Sequence, residues 1–217
     1  QSIYSQYVEF YHKELLKNNN YSIARNYLKK RSLGKDEVKK FKIGYIEKNP
    51  NFFSELIKNY SEQTIIETGL FYFDEKKNTY VERFRGRLIF PINNISGQPI
   101  ALGGRIIENS DYLAKYINSP ETIFFKKGSN LYNLDIARKL SNKIDHIYLV
   151  EGYMDVVGLS KYGIENVVAN LGTSLSEKQI FTLNQFFDDI IICFDGDESG
   201  YKAALRAAEN VIKELQP

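Results

Sequence analysis

From Tyr4 to Leu16, and again from Ile23 to Lys30, apolar and aromatic residues return every three or four positions among lysines, glutamates and asparagines. That period predicts two amphipathic helices. A third, short helix is expected over Asp36-Glu37-Val38-Lys39-Lys40-Phe41, ahead of an extended Ile43-Gly44-Tyr45-Ile46, with Pro50 closing the unit. Helices around residues 52–60 and 61–68 follow. At Gly86 the pattern changes: Leu88-Ile89-Phe90-Pro91-Ile92, a turn at Asn93-Asn94-Ile95-Ser96-Gly97, and Pro99-Ile100-Ala101-Leu102-Gly103-Gly104 spell a β-hairpin, read as the hinge between two lobes.

After Asn142 short apolar strands alternate with helical stretches, which predicts a parallel sheet covered by helices. The expected strands are His146 to Val150, Asn166 to Asn170 and Asp189 to Phe194. The expected helices are Met154 to Tyr162, Leu175 to Phe187 and Ser199 to Leu215, the second opened by a capping box from Ser174 to Glu177. The fold class is therefore α/β, divided into an N-terminal lobe over 1–85, a hairpin and connecting segment over 86–142, and a sheet domain over 143–217.

Composition adds limits. With 43% apolar and 26% charged residues the chain can bury a real core, and no run approaches the roughly 18 apolar residues that span a bilayer. No basic-then-apolar leader opens it, so a soluble, cytoplasmic protein is expected without a membrane partner. The one cysteine, Cys193, lies in the apolar run Ile190-Ile191-Ile192-Cys193-Phe194 and is expected to pack as a small hydrophobe. Net charge is only +2, but charge is unevenly placed. Between Arg83 and Lys127 the bases Arg83, Arg85, Arg87, Arg105, Lys115, Lys126 and Lys127 outnumber the acids Glu108, Asp111 and Glu121, whereas carboxylates predominate from Asp145 onward. A basic stretch followed by an acidic one suits phosphate plus metal.

The acids carry the chemistry. In parallel α/β sheets ligands bind at the carboxyl ends of the strands, where loops converge. Glu151 directly follows the strand ending in Val150, and Asp195 directly follows Phe194, so both should face one cleft. Asp197 stands two residues past Asp195, with Gly196 expected to let the backbone turn sharply. Asp155, in the first turn of the next helix, can point back to the same place. Carboxylates gathered this closely must either take up protons or share a cation. Oxygen donors without histidine or thiolate select magnesium or manganese, and four acids can hold two ions roughly 3.5–4 Å apart. Strand-end acids also serve as plain helix caps, a reading that weakens as the four are taken together.

Val150-Glu151-Gly152-Tyr153-Met154-Asp155-Val156 followed by Phe194-Asp195-Gly196-Asp197 resembles the Toprim pattern of a glutamate and a later Asp-x-Asp, shared by primases, topoisomerases and some nucleases. Arg83-Phe84-Arg85-Gly86-Arg87-Leu88-Ile89-Phe90-Pro91-Ile92, Gly103-Gly104-Arg105 and Tyr116-Ile117-Asn118-Ser119-Pro120-Glu121-Thr122 are similar to the bacterial DnaG-type primases. Ala24, Tyr27, Leu28 and Phe41-Lys42-Ile43-Gly44-Tyr45 extend that likeness to the helical opening.

The resemblance implies a Toprim, Rossmann-like parallel sheet with flanking helices, joined to a smaller N-terminal mixed α/β lobe, with template DNA in a basic groove. It implies synthesis of short RNA primers from nucleoside triphosphates on single-stranded DNA, with Mg2+ or Mn2+ held by Glu151, Asp155, Asp195 and Asp197 and with Glu151, Asp195 and Asp197 catalytic. Glu151 can serve as ligand or as general base. Arg105, Lys115 and Lys127 match basic positions beside the active site and would meet phosphate without reading sequence. Arg83, Arg85 and Arg87, alternating along a strand approach, would share a face toward nucleotide or template phosphates. Gly172-Thr173-Ser174 can bind a phosphate oxygen or simply cap a helix. The family's third acidic motif, its zinc module and its region for the replicative helicase are not met in this sequence, and one cysteine with His12 and His146 makes no zinc site. A fragment of a longer primase is therefore expected. Other readings are a Toprim nuclease or topoisomerase, which would cut a strand with the same metals, and a non-catalytic single-strand binder.

Overall fold

A computed structural model describes residues 2–108, 110–172 and 174–215. The chain forms two compact units, Gln1–Pro91 with Gln98–Phe124, and Ile92–Gly97 with Phe125–Pro217.

The first unit is built on helix α1 (Ser2–Lys17), whose Ile3, Tyr4, Tyr7, Val8, Tyr11 and Leu15 are buried at the three- and four-residue spacing read from sequence. Helices α2 (Ser22–Lys30) and α3 (Lys35–Lys40) follow, then strand β1 (Gly44–Ile46). α1 packs against β1 and the later β5 (Pro99–Ile106). β1 pairs antiparallel with β4 (Arg87–Asn93), and β5 pairs antiparallel with β6 (Tyr116–Asn118), in a sheet ordered β1-β4-β5-β6. β4 and β5 are buried almost throughout, which explains why Leu88-Ile89-Phe90-Pro91-Ile92 is continuously apolar rather than alternating. The turn between them closes at Gly97, whose φ of 84° lies in the left-handed region.

Several expectations are corrected. The helix placed over 52–60 is only one turn, α4 (Phe53–Leu56), because the chain turns again before Ser61 caps α5 (Glu62–Glu67). A hairpin that the sequence reading passed over, β2 (Phe71–Asp74) with β3 (Thr79–Glu82), follows it. Its cue was the aromatic Phe71-Tyr72-Phe73 before Asp74 and the polar turn to Asn78, which has φ 49°. β4, β5 and β6 draw most of the connecting segment into this unit, which is the larger of the two rather than the smaller.

The second unit carries a parallel sheet ordered β8-β7-β9, from β7 (His146–Val150), β8 (Val167–Ala169) and β9 (Asp189–Ile192). α7 (Tyr153–Lys161) leads from β7 to β8, α8 (Glu177–Asn184) from β8 to β9, and α9 (Glu198–Leu215) follows β9; a single helical turn, α6 (Leu134–Ala137), precedes the sheet. Leu149, Val168, Ile180, Leu183, Phe187 and Ala207 are among the buried residues of one apolar cluster here. Ile190, Ile192 and Phe194 pack against that cluster, so the alternate residues of β9 face away. Cys193 is consequently exposed and does not pack as a core residue. The helix cap also moves: Ser176, not Ser174, accepts from Gln179 N at 3.2 Å while Gln179 Oε1 accepts from Ser176 N at 3.0 Å. Burial of Leu175 sets that register. Among the described residues no helix is long and apolar enough to cross a membrane.

Candidate active site and basic surface

β7 and β9 are adjacent and parallel, so the residues that follow them emerge at one sheet edge. Glu151 and Asp195 meet there. Glu151 Oε1 accepts from the backbone N–H of Asp195 at 2.9 Å, across 44 residues of sequence. Asp155, third residue of α7, has Oδ2 turned to the Gly152 N–H at 3.0 Å, half of a capping box. Asp197 Oδ1 accepts from Gly200 N at 2.7 Å and its carbonyl accepts from Tyr201 N, so it caps α9. All four acids are exposed. In this conformation each of Glu151, Asp155 and Asp197 has an oxygen on a backbone amide, and among the described residues no three acids, histidines or cysteines are gathered as an ion-binding cluster. The donor chemistry still fits a hard dication, since all four groups are carboxylates at adjacent strand and helix ends.

The glycine that matters sterically is not the expected one. Gly196 has no left-handed backbone, and a Cβ there would meet open space. At Gly200 a Cβ would stand 2.1 Å from the Asp195 carbonyl oxygen and 2.9 Å from Glu151 Oε1. The second glycine of Asp195-Gly196-Asp197-Glu198-Ser199-Gly200 was the signal. Gly200→Ala therefore tests the packing of the site. Helix propensity alone would make alanine stabilising by about 1 kcal/mol; the collision is expected to reverse the sign, to a loss of about 1–3 kcal/mol in urea unfolding.

The basic residues divide by environment. Residues 83–86 form a turn between β3 and β4 rather than a strand, so the three arginines do not alternate along one: Arg83 and Arg85 meet at Tyr72, whereas Arg87 turns to the Lys115 carbonyl. Arg83 donates through Nε to Gly69 O at 2.8 Å, Arg85 donates to Tyr72 Oη at 2.6 Å, and both guanidiniums lie 5.6 Å from the Tyr72 ring centroid. Arg87 is 5% exposed and donates to Lys115 O at 3.3 Å, and burial pushes its guanidinium below the usual range. Arg105 is equally buried, whereas Lys115 is exposed. In the second unit Lys127 opens a short 3-10 turn whose carbonyls are held from α8. Fully buried Gln179 donates through Nε2 to Lys127 O at 3.0 Å and Asn130 O at 2.8 Å, and Ser176 Oγ donates to Gly128 O at 2.5 Å. Thr173 of the Gly172-Thr173-Ser174 phosphate candidate lies outside the described residues. Sequence reasoning missed Arg31, which lies beside Tyr27 one helical turn on, and the buried Glu82.

Residues 10–138 match the family described as DNA primase catalytic core, N-terminal domain, and residues 145–216 match the Toprim domain. The chain belongs to the DnaG-type DNA primase family. A DNA primase of Pseudomonas putida is 39% identical over 213 residues, covering 96% of this chain and 32% of the relative. A crystal structure of a DNA primase domain from Pseudomonas aeruginosa superposes with a TM-score of 0.91 at 39% identity, covering 99% of this chain and 67% of that one. A DnaG primase catalytic domain bound to ssDNA gives a TM-score of 0.88 at 34% identity over 99% of this chain and 67% of that one. The chain thus spans about a third of the length of the curated primases it matches. Within the family, the parallel sheet β8-β7-β9 is its Toprim domain.

Proposed function

We propose that this chain is the nucleotidyl-transfer core of a primase, joining ribonucleoside triphosphates into short RNA on a single-stranded DNA template during replication. The observation that carries the reading is the meeting of Glu151 and Asp195 at the ends of two adjacent parallel strands, with Asp155 and Asp197 on the helices that follow. Glu151, Asp195 and Asp197, with Asp155 in support, would hold Mg2+ or Mn2+, which supplies charge stabilisation for attacking and leaving oxygens in phosphoryl transfer. The residues themselves keep the site open to solvent and oxygen-lined. Arg105, Lys115 and Lys127 supply phosphate contacts that hold the template without reading its sequence. Arg83 and Arg85, held against Tyr72, are secondary candidates, as is Arg87, whose bond to the Lys115 carbonyl supports a part in placing that backbone.

A full-length form of the protein, given single-stranded DNA, nucleoside triphosphates and Mg2+, is expected to make short RNA that depends on both template and metal. Nicking of supercoiled DNA without nucleotide incorporation would instead establish a Toprim nuclease or topoisomerase. Salt-sensitive binding with neither activity would leave only a single-strand binder.

A further inference from the structure

A cavity of about 420 Å³ in the first unit is lined by Tyr27, Arg31, Arg105 and Lys115, with Glu108 and Asp111 also on its wall. Arg105 and Tyr116 are cross-strand partners in β5 and β6. The Arg105 guanidinium carbon lies 4.8 Å from the Tyr116 ring centroid and 5.4 Å from that of Tyr27, and Nη1 donates to Tyr116 Oη. Arg31 approaches the same Tyr27 ring, at 5.7 Å. Arg105 is only 5% exposed, yet its Nε is buried with no hydrogen-bond partner, and so is Tyr27 Oη.

A buried cation ordinarily needs a carboxylate. Among the described residues Arg105 has none: Glu108 is paired with Lys48 at 2.5 Å, and no ion pair involves Arg105 or the exposed Arg31. Tyrosine faces do the stabilising here, through the negative face of the ring quadrupole. The difference matters, because a carboxylate would cancel the charge whereas a ring stabilises the guanidinium and leaves its charge available to an incoming anion. The shared Tyr27 ring also fixes the spacing of two like charges that would otherwise separate. Since Tyr27 Oη makes no bond, the ring rather than the hydroxyl does this work.

We propose that Tyr27 is a positioning residue for nucleic-acid phosphate: its ring holds the exposed Arg31 and the buried Arg105 together, un-neutralised, on the wall of one cavity open to a phosphate group. The proposal rests on reading Arg105 as a phosphate contact. The test is binding of a fluorescein-labelled oligothymidylate to the 217-residue chain, followed by anisotropy over a salt series, with thermal unfolding of every variant. Arg105→Ala is expected to weaken binding about tenfold and to reduce the salt slope by about 0.7, the value for one phosphate contact on a single strand. Tyr27→Leu is expected to cost about five- to tenfold, and Tyr27→Phe, which keeps the ring, less than twofold. The double variant Tyr27→Leu with Arg105→Ala should bind no more weakly than Arg105→Ala alone. Should Tyr27→Leu unfold, Tyr27→Met takes its place with the same expectation.

The outcomes separate cleanly. Additive losses in the double variant, or a loss in Tyr27→Phe equal to that in Tyr27→Leu, overturn the positioning role. Weakening by Arg105→Ala with none by Tyr27→Leu overturns it while leaving the phosphate reading intact. Unchanged affinity in Arg105→Ala overturns the phosphate reading itself.

Discussion

Asp195→Asn in a full-length form of the protein is expected to reduce primer synthesis by about a hundredfold or more while leaving single-strand affinity within about twofold. The substitution is nearly isosteric and its structural cost is small. Asp195 is exposed, and the bond that ties it to Glu151 uses its backbone N–H, which asparagine keeps. What changes is the loss of one negative charge where the proposal places a dication. The proposed phosphate contacts are the basic residues Arg105, Lys115 and Lys127, which the substitution leaves unaltered, so binding and synthesis should separate. Incorporation assays paired with oligonucleotide anisotropy give the answer. Synthesis retained at the unsubstituted rate would remove Asp195 from the site, and a parallel collapse of DNA binding would mean that the variant had misfolded.

The second large effect concerns stability. Glu82 is 2% exposed and accepts three hydrogen bonds: from Tyr7 Oη at 2.6 Å, Tyr11 Oη at 2.7 Å and Phe52 N at 2.8 Å. It joins α1, the start of α4 and the end of β3 at one point. Glu82→Leu strands three buried donors, and a loss of about 3–5 kcal/mol in urea unfolding is expected. pH adds a signed check. Burial pushes the Glu82 carboxyl above its ordinary value of 4.5, against the pull of the three donors. The folded state therefore holds this proton more tightly than the unfolded state. The associated stability is complete below about pH 4.5 and is lost as pH rises through the folded value. Glu82→Gln, which cannot ionise, should lack this component, so its stability relative to the parent should improve as pH rises above 4.5. A difference that stays flat from pH 4 to 7 would show that Glu82 titrates as it does in the unfolded chain.

Much of this architecture was legible in the sequence, for identifiable reasons. β7, β8 and β9 are strands in a parallel sheet, where burial on one or both faces writes short apolar runs that end abruptly in polar residues. α1 was legible because its buried face follows the helical period. The β2–β3 hairpin was not, because its inward and outward positions are both aromatic and no clean alternation survives. In the site, the pairing of Glu151 with Asp195 follows from strand-end position alone. The need for a bare Gly200 comes from the first turn of α9 closing on the Asp195 carbonyl, which the second glycine of the Asp195-to-Gly200 stretch marks but the strand-end argument does not use. The cluster of Arg31, Tyr27 and Arg105 was hidden because its members are distant in sequence, on and just after α2 and on β5, and a charge count cannot tell a buried guanidinium from a solvated one.

Gln179 gives Lys127 a thermodynamic advantage. A lysine on an unsupported loop must give up backbone freedom when it meets a phosphate, at about 1–2 kcal/mol per residue immobilised. Here the carbonyls of Lys127, Gly128 and Asn130 are already bonded to side chains of Ser176 and Gln179. That ordering is completed when the second unit folds, leaving only the rotamers of one side chain to be restricted on contact. In the phosphate-contacting role proposed for it, Lys127 would act from a backbone already held in place, and its share of the binding entropy would be that of a side chain rather than of a loop.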